Sequence, residues 1–263
     1  MQGEDHVDTL IDQIVETNQI ADDATTSGTF ANVDQLGNLP IWIGSRRSGR
    51  PPDCWEHFDC VLNVTDQEYE HELPARKPPH NQNKYYLQLP VAEGKRDKSE
   101  LERWLPVGWM FLWQHICRSP ERRNVLIHCN QGKDRSVAMA LAFTTIACQN
   151  TFPLRLDPSV LTWQPEDLMA QLCSTEQTTP RYYRQSGLGH DLVSFLLSDE
   201  GPGSLLAWIH QQTSTSTSAP LASKESLRIG MHLIRQYREV ADPSRATMQK
   251  LNRFFMSHSL YRR

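Results

Sequence analysis

No apolar run in this 263-residue chain approaches the roughly 20 consecutive residues that a helix needs to span a bilayer. A membrane is therefore not expected among its partners. The N-terminus, MQGEDHVDTL, is acidic and lacks the basic-then-apolar order of a secretion signal. Cysteine is sparse. Six irregularly spaced residues do not make a disulfide framework in a chain of this length, so a reducing compartment is expected, cytoplasm first and nucleus as the alternative. Positive charge is not in excess either. With 27 Lys and Arg against 31 Asp and Glu, the net charge is −4, which argues against general coating of nucleic acid and leaves room only for a local basic face. No internal repeat is found. Cys54, His57 and Cys60 are too few for a four-ligand structural metal site, and Cys60 falls on an expected strand, so no metal is expected.

What is present fits one sizeable domain with polar insertions: 38% hydrophobic and 22% charged residues. Val7, Leu10, Ile11, Ile14 and Val15 recur at helical spacing, predicting an amphipathic helix over 4–18. The polar stretch that follows reads as linker, so 1–38 is set apart and the domain is placed at 39–258. "LPIWIGS", "FDCVLNV", "YYLQLPV" and "NVLIHC" are predicted strands. A helical region around Leu101 to Ile116, interrupted near Pro106, separates the third from the fourth. Val137 to Cys148 is predicted as a helix buried on all sides. Strands alternating with helices imply a mainly parallel sheet covered on both faces. Residues 150–223 lose regularity and read as an irregular insertion, ending in the tether-like "QQTSTSTSAP". Two helices close the chain, one through Leu227, Met231 and Ile234, the other through Met248, Leu251 and Phe255 after "ADPSRAT".

The most informative stretch is "VLIHCNQGKDRS", residues 125–136. A strand ending in Cys, five residues, then Arg opening a helix can form a nest of backbone N–H groups for a phosphate dianion. In such a nest Asn130, Gln131, Gly132, Lys133 and Asp134 supply the loop and Arg135 grips phosphate oxygens with its planar fork. The positive end of the helix favours a Cys129 thiolate, and Ser136 can donate to the sulfur. Gly132 permits a left-handed or close-approach conformation, His128 orders the backbone, and Asp134 adds a negative charge beside the cradle. A merely structural buried Cys129 is the blander alternative. The phosphate loop is preferred because strand and helix flank it as required.

At these residues the chain resembles the cysteine-based dual-specificity phosphatases, whose signature is His-Cys-x5-Arg-Ser/Thr. Lys133-Asp134 looks like the phosphoinositide-type branch, in which an equivalent lysine meets a second phosphate. The resemblance implies an α/β, three-layer cysteine-phosphatase-like fold with a mainly parallel central sheet. It also implies an acid after the third strand, for which Glu93, in the aligned place, and Asp97 are the candidates. "LPVAEGKRDKSELERWLP", "IHCNQGKDRSVAMALA" and "DPSRATMQKLNRFFM" together resemble the phosphatase-like domain of the initiator-tRNA A64 2′-O-ribosylphosphate transferase family. That resemblance implies initiator tRNA as partner, phosphoribosyl pyrophosphate as co-substrate and no tightly bound cofactor. It further implies an N-terminal transferase region, whose last helix would be the one at 4–18, with the rest either separately encoded or lost from a truncated gene model. A stand-alone Cys-dependent phosphatase and a non-enzymatic phosphate- or tRNA-binding adaptor remain open beside it.

Of the remaining signals, Arg46, Arg47 and Arg50 in "GSRRSGR" are balanced between an RNA contact and a solvated loop. "TPRYYRQ", with Arg181, Tyr182, Tyr183 and Arg184, reads as an exposed loop in preference to a stacking surface. Trp104 and Trp109 are expected in the core.

Overall fold

The computed structural model describes residues 32–67, 83–119, 121–149, 151–164, 168, 186–213 and 222–257. The chain divides into two compact units, Met1–Ala31 and Asn32–Arg263. The first unit, with the helix expected at 4–18, lies outside the described residues, as does "TPRYYRQ". Seven strands are described: β1 (Val33–Gln35), β2 (Ile41–Gly44), β3 (Cys60–Asn63), β4 (Tyr85–Gln88), β5 (Val125–His128), β6 (Cys148–Gln149) and β7 (Arg155–Leu156). The described α-helices are α1 (Cys54–His57), α2 (Glu100–Ile116), α3 (Arg135–Ala147), α4 (His190–Leu196), α5 (Gly201–Thr213), α6 (Lys224–Arg235) and α7 (Arg245–Ser257).

The main sheet runs β1-β2-β5-β3-β4, with β1 antiparallel and the other four parallel. This is the expected α/β class with a mainly parallel sheet. Side chains alternate across it. Ile41, Ile43, Cys60, Leu62, Leu87, Val125 and Ile127 join the large core formed with α2 and α3. Val61, Tyr86 and Leu126 turn to the opposite face, where Cys54, Trp55 and Phe58 meet them. Over that second face lie α1 and the short 3-10 turn Arg46–Gly49, whose Ser48 meets Gly44 beside Leu126. β5 lies at the centre, paired on both sides, and all four of its residues are buried. Its C-terminal end is therefore held from both sides by β2 and β3. α3 continues from it and is buried along its length except at Ile146.

Four expectations need correcting. Val33–Gln35, inside the stretch read as linker, is an edge strand, so the domain starts before residue 39. Its pairing with β2 is made by backbone, and its half-buried side chains carry no apolar pattern. Pro106 does not interrupt α2. It removes one helical hydrogen bond in the second turn, while buried Leu101, Leu105 and Val107 to Trp113 hold the helix on either side. Residues 150–223 are not simply irregular: α4 and α5 form there, and Trp208 packs edge-on to Trp113 and Trp163 at 5.3 and 5.7 Å. Finally, α7 begins at Arg245, within "PSRAT", where the Ser244 hydroxyl accepts the Thr247 N–H at 3.2 Å as a cap. Among the described residues no helix is long and apolar enough to cross a membrane.

Candidate functional site

The loop between β5 and α3 is shaped from outside, by what its carbonyls bind. The Asn130 carbonyl accepts the Arg46 N–H at 3.0 Å, and that of Lys133 accepts the Asp242 N–H at 2.9 Å. The Gly132 carbonyl accepts Nε of Arg238 at 2.7 Å. In a planar trans peptide the C=O of one residue and the N–H of the next point in opposite directions. Three carbonyls drawn outward thus turn the N–H groups of Gln131, Lys133 and Asp134 to the other side of the loop. Converging N–H groups at the start of a 13-residue helix are the makings of an anion nest.

Cys129 stands at the floor of this loop, buried at the end of the central strand. Its sulfur accepts the Gly132 N–H at 3.2 Å and lies 3.2 Å from Oγ of Ser136. The Gly132 N–H fixes the sulfur under the loop, while in the Ser136 contact either atom can be the donor. Gly132 has φ +70°, and a Cβ there would come within 2.5 Å of the Gly44 carbonyl oxygen and 2.6 Å of Arg238 Nη2. Only glycine satisfies the backbone angle and the space together. His128 is fully buried, and burial holds its imidazole at a pKa of about 3, so the ring is neutral. The ring packs over Gly49, where a Cβ would lie 2.4 Å from it. This is a scaffold's position.

Arg135, only 2% exposed, opens α3 and donates Nη1 to the Val91 carbonyl at 2.7 Å. Its Nη2 lies 3.7 Å from Oε2 of Glu93. The same Glu93 oxygen accepts Nδ2 of Asn130 at 2.8 Å. Glu93 therefore bridges the loop and its arginine, in the segment after β4. Asp97 is placed differently. Its Oδ1 accepts the Glu100 N–H at 2.8 Å, capping α2, and its Oδ2 pairs with Nζ of Lys250 at 2.5 Å. Burial pushes the Asp97 carboxyl above its ordinary value, with Lys250 working against that. These partners are those of a structural anchor joining α2 to α7. Asp134 does not turn its charge on the nest: Oδ1 accepts the Ser244 N–H at 3.0 Å. Gln131 and Lys133 are exposed at the loop's rim.

Sequence reasoning missed the outer supports. Arg238 and Asp34 were not singled out, and "DPSRAT" was read as a helix start and part of the resemblance, with no contact to the loop. Arg46 was noted for its charge, whereas it serves through its backbone N–H. Arg46 and Arg47 are half-buried in a short 3-10 turn, not a solvated loop. Cys54 and His57 lie on α1 and Cys60 on β3, and among the described residues no group of three His, Cys, Asp or Glu side chains is disposed to hold a metal ion.

No curated protein matches this sequence. Residues 85–176 match the family model described as the Rit1 DUSP-like domain, of the Init_tRNA_PT family. The match covers about a third of the chain. The matched segment contains Glu93, Asp97 and the whole of the loop from His128 to Ser136. It excludes Asp34, Arg46, Arg238 and Asp242 to Ser244, the groups that shape the loop from outside. Among solved structures, the Yvh1 phosphatase domain from Chaetomium thermophilum is similar at 13% identity, over 84% of this chain and 93% of that one, with a TM-score of 0.45. DUSP15 is similar at 14% identity, over 87% and 90%, with a TM-score of 0.44. The human tyrosine phosphatase-like serine/threonine/tyrosine-interacting protein is similar at 14% identity, over 85% and 95%, with a TM-score of 0.42.

Proposed function

We propose that this chain acts in the modification of initiator tRNA, as the phosphate-binding domain of a 2′-O-ribosylphosphate transferase. The 2′-hydroxyl oxygen of an adenosine bonds to the anomeric carbon of phosphoribosyl pyrophosphate, the bond from that carbon to pyrophosphate breaks with its electron pair going to pyrophosphate, and the hydroxyl proton passes to solvent. The observation that carries this reading is the set of outward carbonyls at Asn130, Gly132 and Lys133, which turns the following N–H groups inward beside Arg135. Phosphoribosyl pyrophosphate and the tRNA backbone both present phosphates, and the Rit1 DUSP-like match supplies the tRNA-modifying context. In this reading Cys129 lines the cradle, and Arg135 exchanges Glu93 for a phosphate oxygen. The family's N-terminal transferase region would complete the reaction, in the cytoplasm where initiator tRNA is used.

One observation favours a second reading, a Cys-dependent phosphatase: the Gly132 N–H and Ser136 hydroxyl both address the sulfur. Against it stand the acids. Glu93 is engaged by Asn130 and Arg135, and Asp97 by the start of α2 and Lys250, so each is committed to a partner within the protein and not directed at a leaving oxygen. Purified protein assayed with initiator tRNA and labelled phosphoribosyl pyrophosphate, in parallel with p-nitrophenyl phosphate, tests both. The proposal expects binding of phosphoribosyl pyrophosphate that inorganic phosphate competes away, with negligible ester hydrolysis. Brisk hydrolysis that disappears in Cys129→Ser would replace it with the phosphatase reading.

A further inference from the structure

We propose that Arg238 is a positioning residue for the phosphate cradle: it locks the peptide between Gly132 and Lys133 so that the Lys133 N–H faces the bound anion. The inference rests on reading residues 129–136 as such a cradle. Arg238 does not itself touch the anion.

Arg238 follows α6, is 106 residues from Gly132 in sequence, and is 2% exposed. Its Nε donates to the Gly132 carbonyl at 2.7 Å, and its Nη1 meets Oδ2 of Asp34 on β1 at 2.5 Å. Its backbone is pinned as well, the N–H donating to the Ile234 carbonyl at 2.9 Å and the carbonyl accepting the Ala241 N–H at 3.0 Å. Burying a guanidinium is costly unless its donors are satisfied in good geometry. A charge pair with Asp34 alone would need no partner in the loop. The bond to Gly132 is what links this buried cation to the site.

Gly132 is the residue at which the loop is softest, since glycine crosses between left- and right-handed conformations at little cost. Here it is held at both ends, its N–H on the Cys129 sulfur and its C=O on Arg238. If the peptide between Gly132 and Lys133 turned over, a carbonyl oxygen would face the phosphate in place of an N–H. The cradle would then present a negative dipole end to a dianion. A charged donor on the Gly132 oxygen also polarises that peptide, which strengthens the Lys133 N–H as a donor. Arg238 thus sets both the direction and the strength of one contact without approaching the ligand.

The test uses the full chain and two readouts: tungstate affinity by calorimetry, and the pH midpoint for alkylation of Cys129. Arg238→Lys keeps the charge but loses the planar fork. Tungstate binding should weaken about 10-fold, and the alkylation midpoint should rise by about one pH unit as Gly132 loosens over the sulfur. Asp34→Asn, on the half-exposed edge strand, should shift both readouts in the same direction by less, and it serves if Arg238→Lys folds poorly. Arg123→Ala is the control for lost stability alone. It removes an arginine that binds His115 and Tyr85, and should lower Tm while leaving both readouts unchanged. Full tungstate affinity and an unmoved midpoint in the Arg238 and Asp34 variants would overturn the proposal, as would equal losses in Arg123→Ala. If the unaltered protein binds no tungstate, the cradle reading falls, and the alkylation midpoint alone still decides whether Arg238 governs Gly132.

Discussion

Nζ of Lys250 lies 2.5 Å from Oδ2 of Asp97 and 2.7 Å from the Asp97 carbonyl oxygen, which fastens α7 to the start of α2. Both side chains are under 10% exposed. Removing one partner of a buried pair leaves the other charge uncompensated, at a cost of about 3–5 kcal/mol. Asp97→Ala also uncaps α2. It should therefore unfold at markedly lower urea, with its loss expressed in stability and not in tungstate affinity measured on the folded protein. A variant as stable as the unaltered chain, but unable to turn over any substrate, would return Asp97 to the role of proton donor.

Glu93 offers a sharper division between holding and breaking a phosphate. Its carboxylate sits 3.7 Å from Nη2 of Arg135 with its side chain 46% exposed, so an arriving anion competes with it. Half-exposed ion pairs are worth about 0.5–1 kcal/mol, and Glu93→Gln should tighten tungstate binding by roughly two- to five-fold on that scale. A general acid gives the opposite result, unchanged binding and a turnover loss of about 10²–10⁴-fold. Calorimetry and a p-nitrophenyl phosphate assay on the same preparation separate the two.

Thiol reactivity follows from burial and hydrogen bonding. Burial pushes the Cys54 and Cys117 thiols up to about 12, and those of Cys60 and Cys148 higher still. The Cys129 sulfur has the Gly132 N–H and the Ser136 hydroxyl beside it. Among the five described cysteines, iodoacetamide at neutral pH should label Cys129 first, and phosphate should slow that labelling. Mass spectrometry of a time course reads the order directly. Equal rates at Cys129 and Cys54 would show that the loop does not activate its sulfur.

Acid should destabilise the fold through two histidines. His115 is held neutral at about 4 by burial, with Nδ1 accepting from Arg123 at 2.8 Å and Nε2 facing the Ser186 carbonyl at 2.7 Å. His128 is held at about 3, also by burial. In each case the folded value lies below the ordinary 6.5, so the unfolded chain binds the proton first. Stability from these groups is complete above pH 6.5 and is lost as pH falls towards 4 for His115 and 3 for His128. Between pH 6.5 and 5 the loss should reach about 2 kcal/mol for each histidine. Urea midpoints across that range should fall, and His115→Gln should flatten the slope. A midpoint independent of pH would contradict the neutral buried rings.

The sequence by itself determined what contiguous residues can encode. "NVLIHC" reads as a buried strand because three of its side chains, Val125 to Ile127, are apolar in a row, and His128, Cys129, Arg135 and Ser136 stand at fixed offsets along one strand–loop–helix. The neighbouring helix reads correctly because apolarity on every side demands burial on every side. Only the tertiary structure decided what holds that loop in shape. Arg238 lies 106 residues from Gly132 and 204 from Asp34, and no local pattern marks a contact made by one guanidinium on one carbonyl. Likewise β1 joins the sheet through backbone pairing, which leaves polar side chains free and so leaves no hydrophobic period to read. Asp97 and Glu93, four residues apart in one polar segment, look interchangeable in sequence. Packing separates them, since α7 brings Lys250 to Asp97 while the loop brings Asn130 and Arg135 to Glu93.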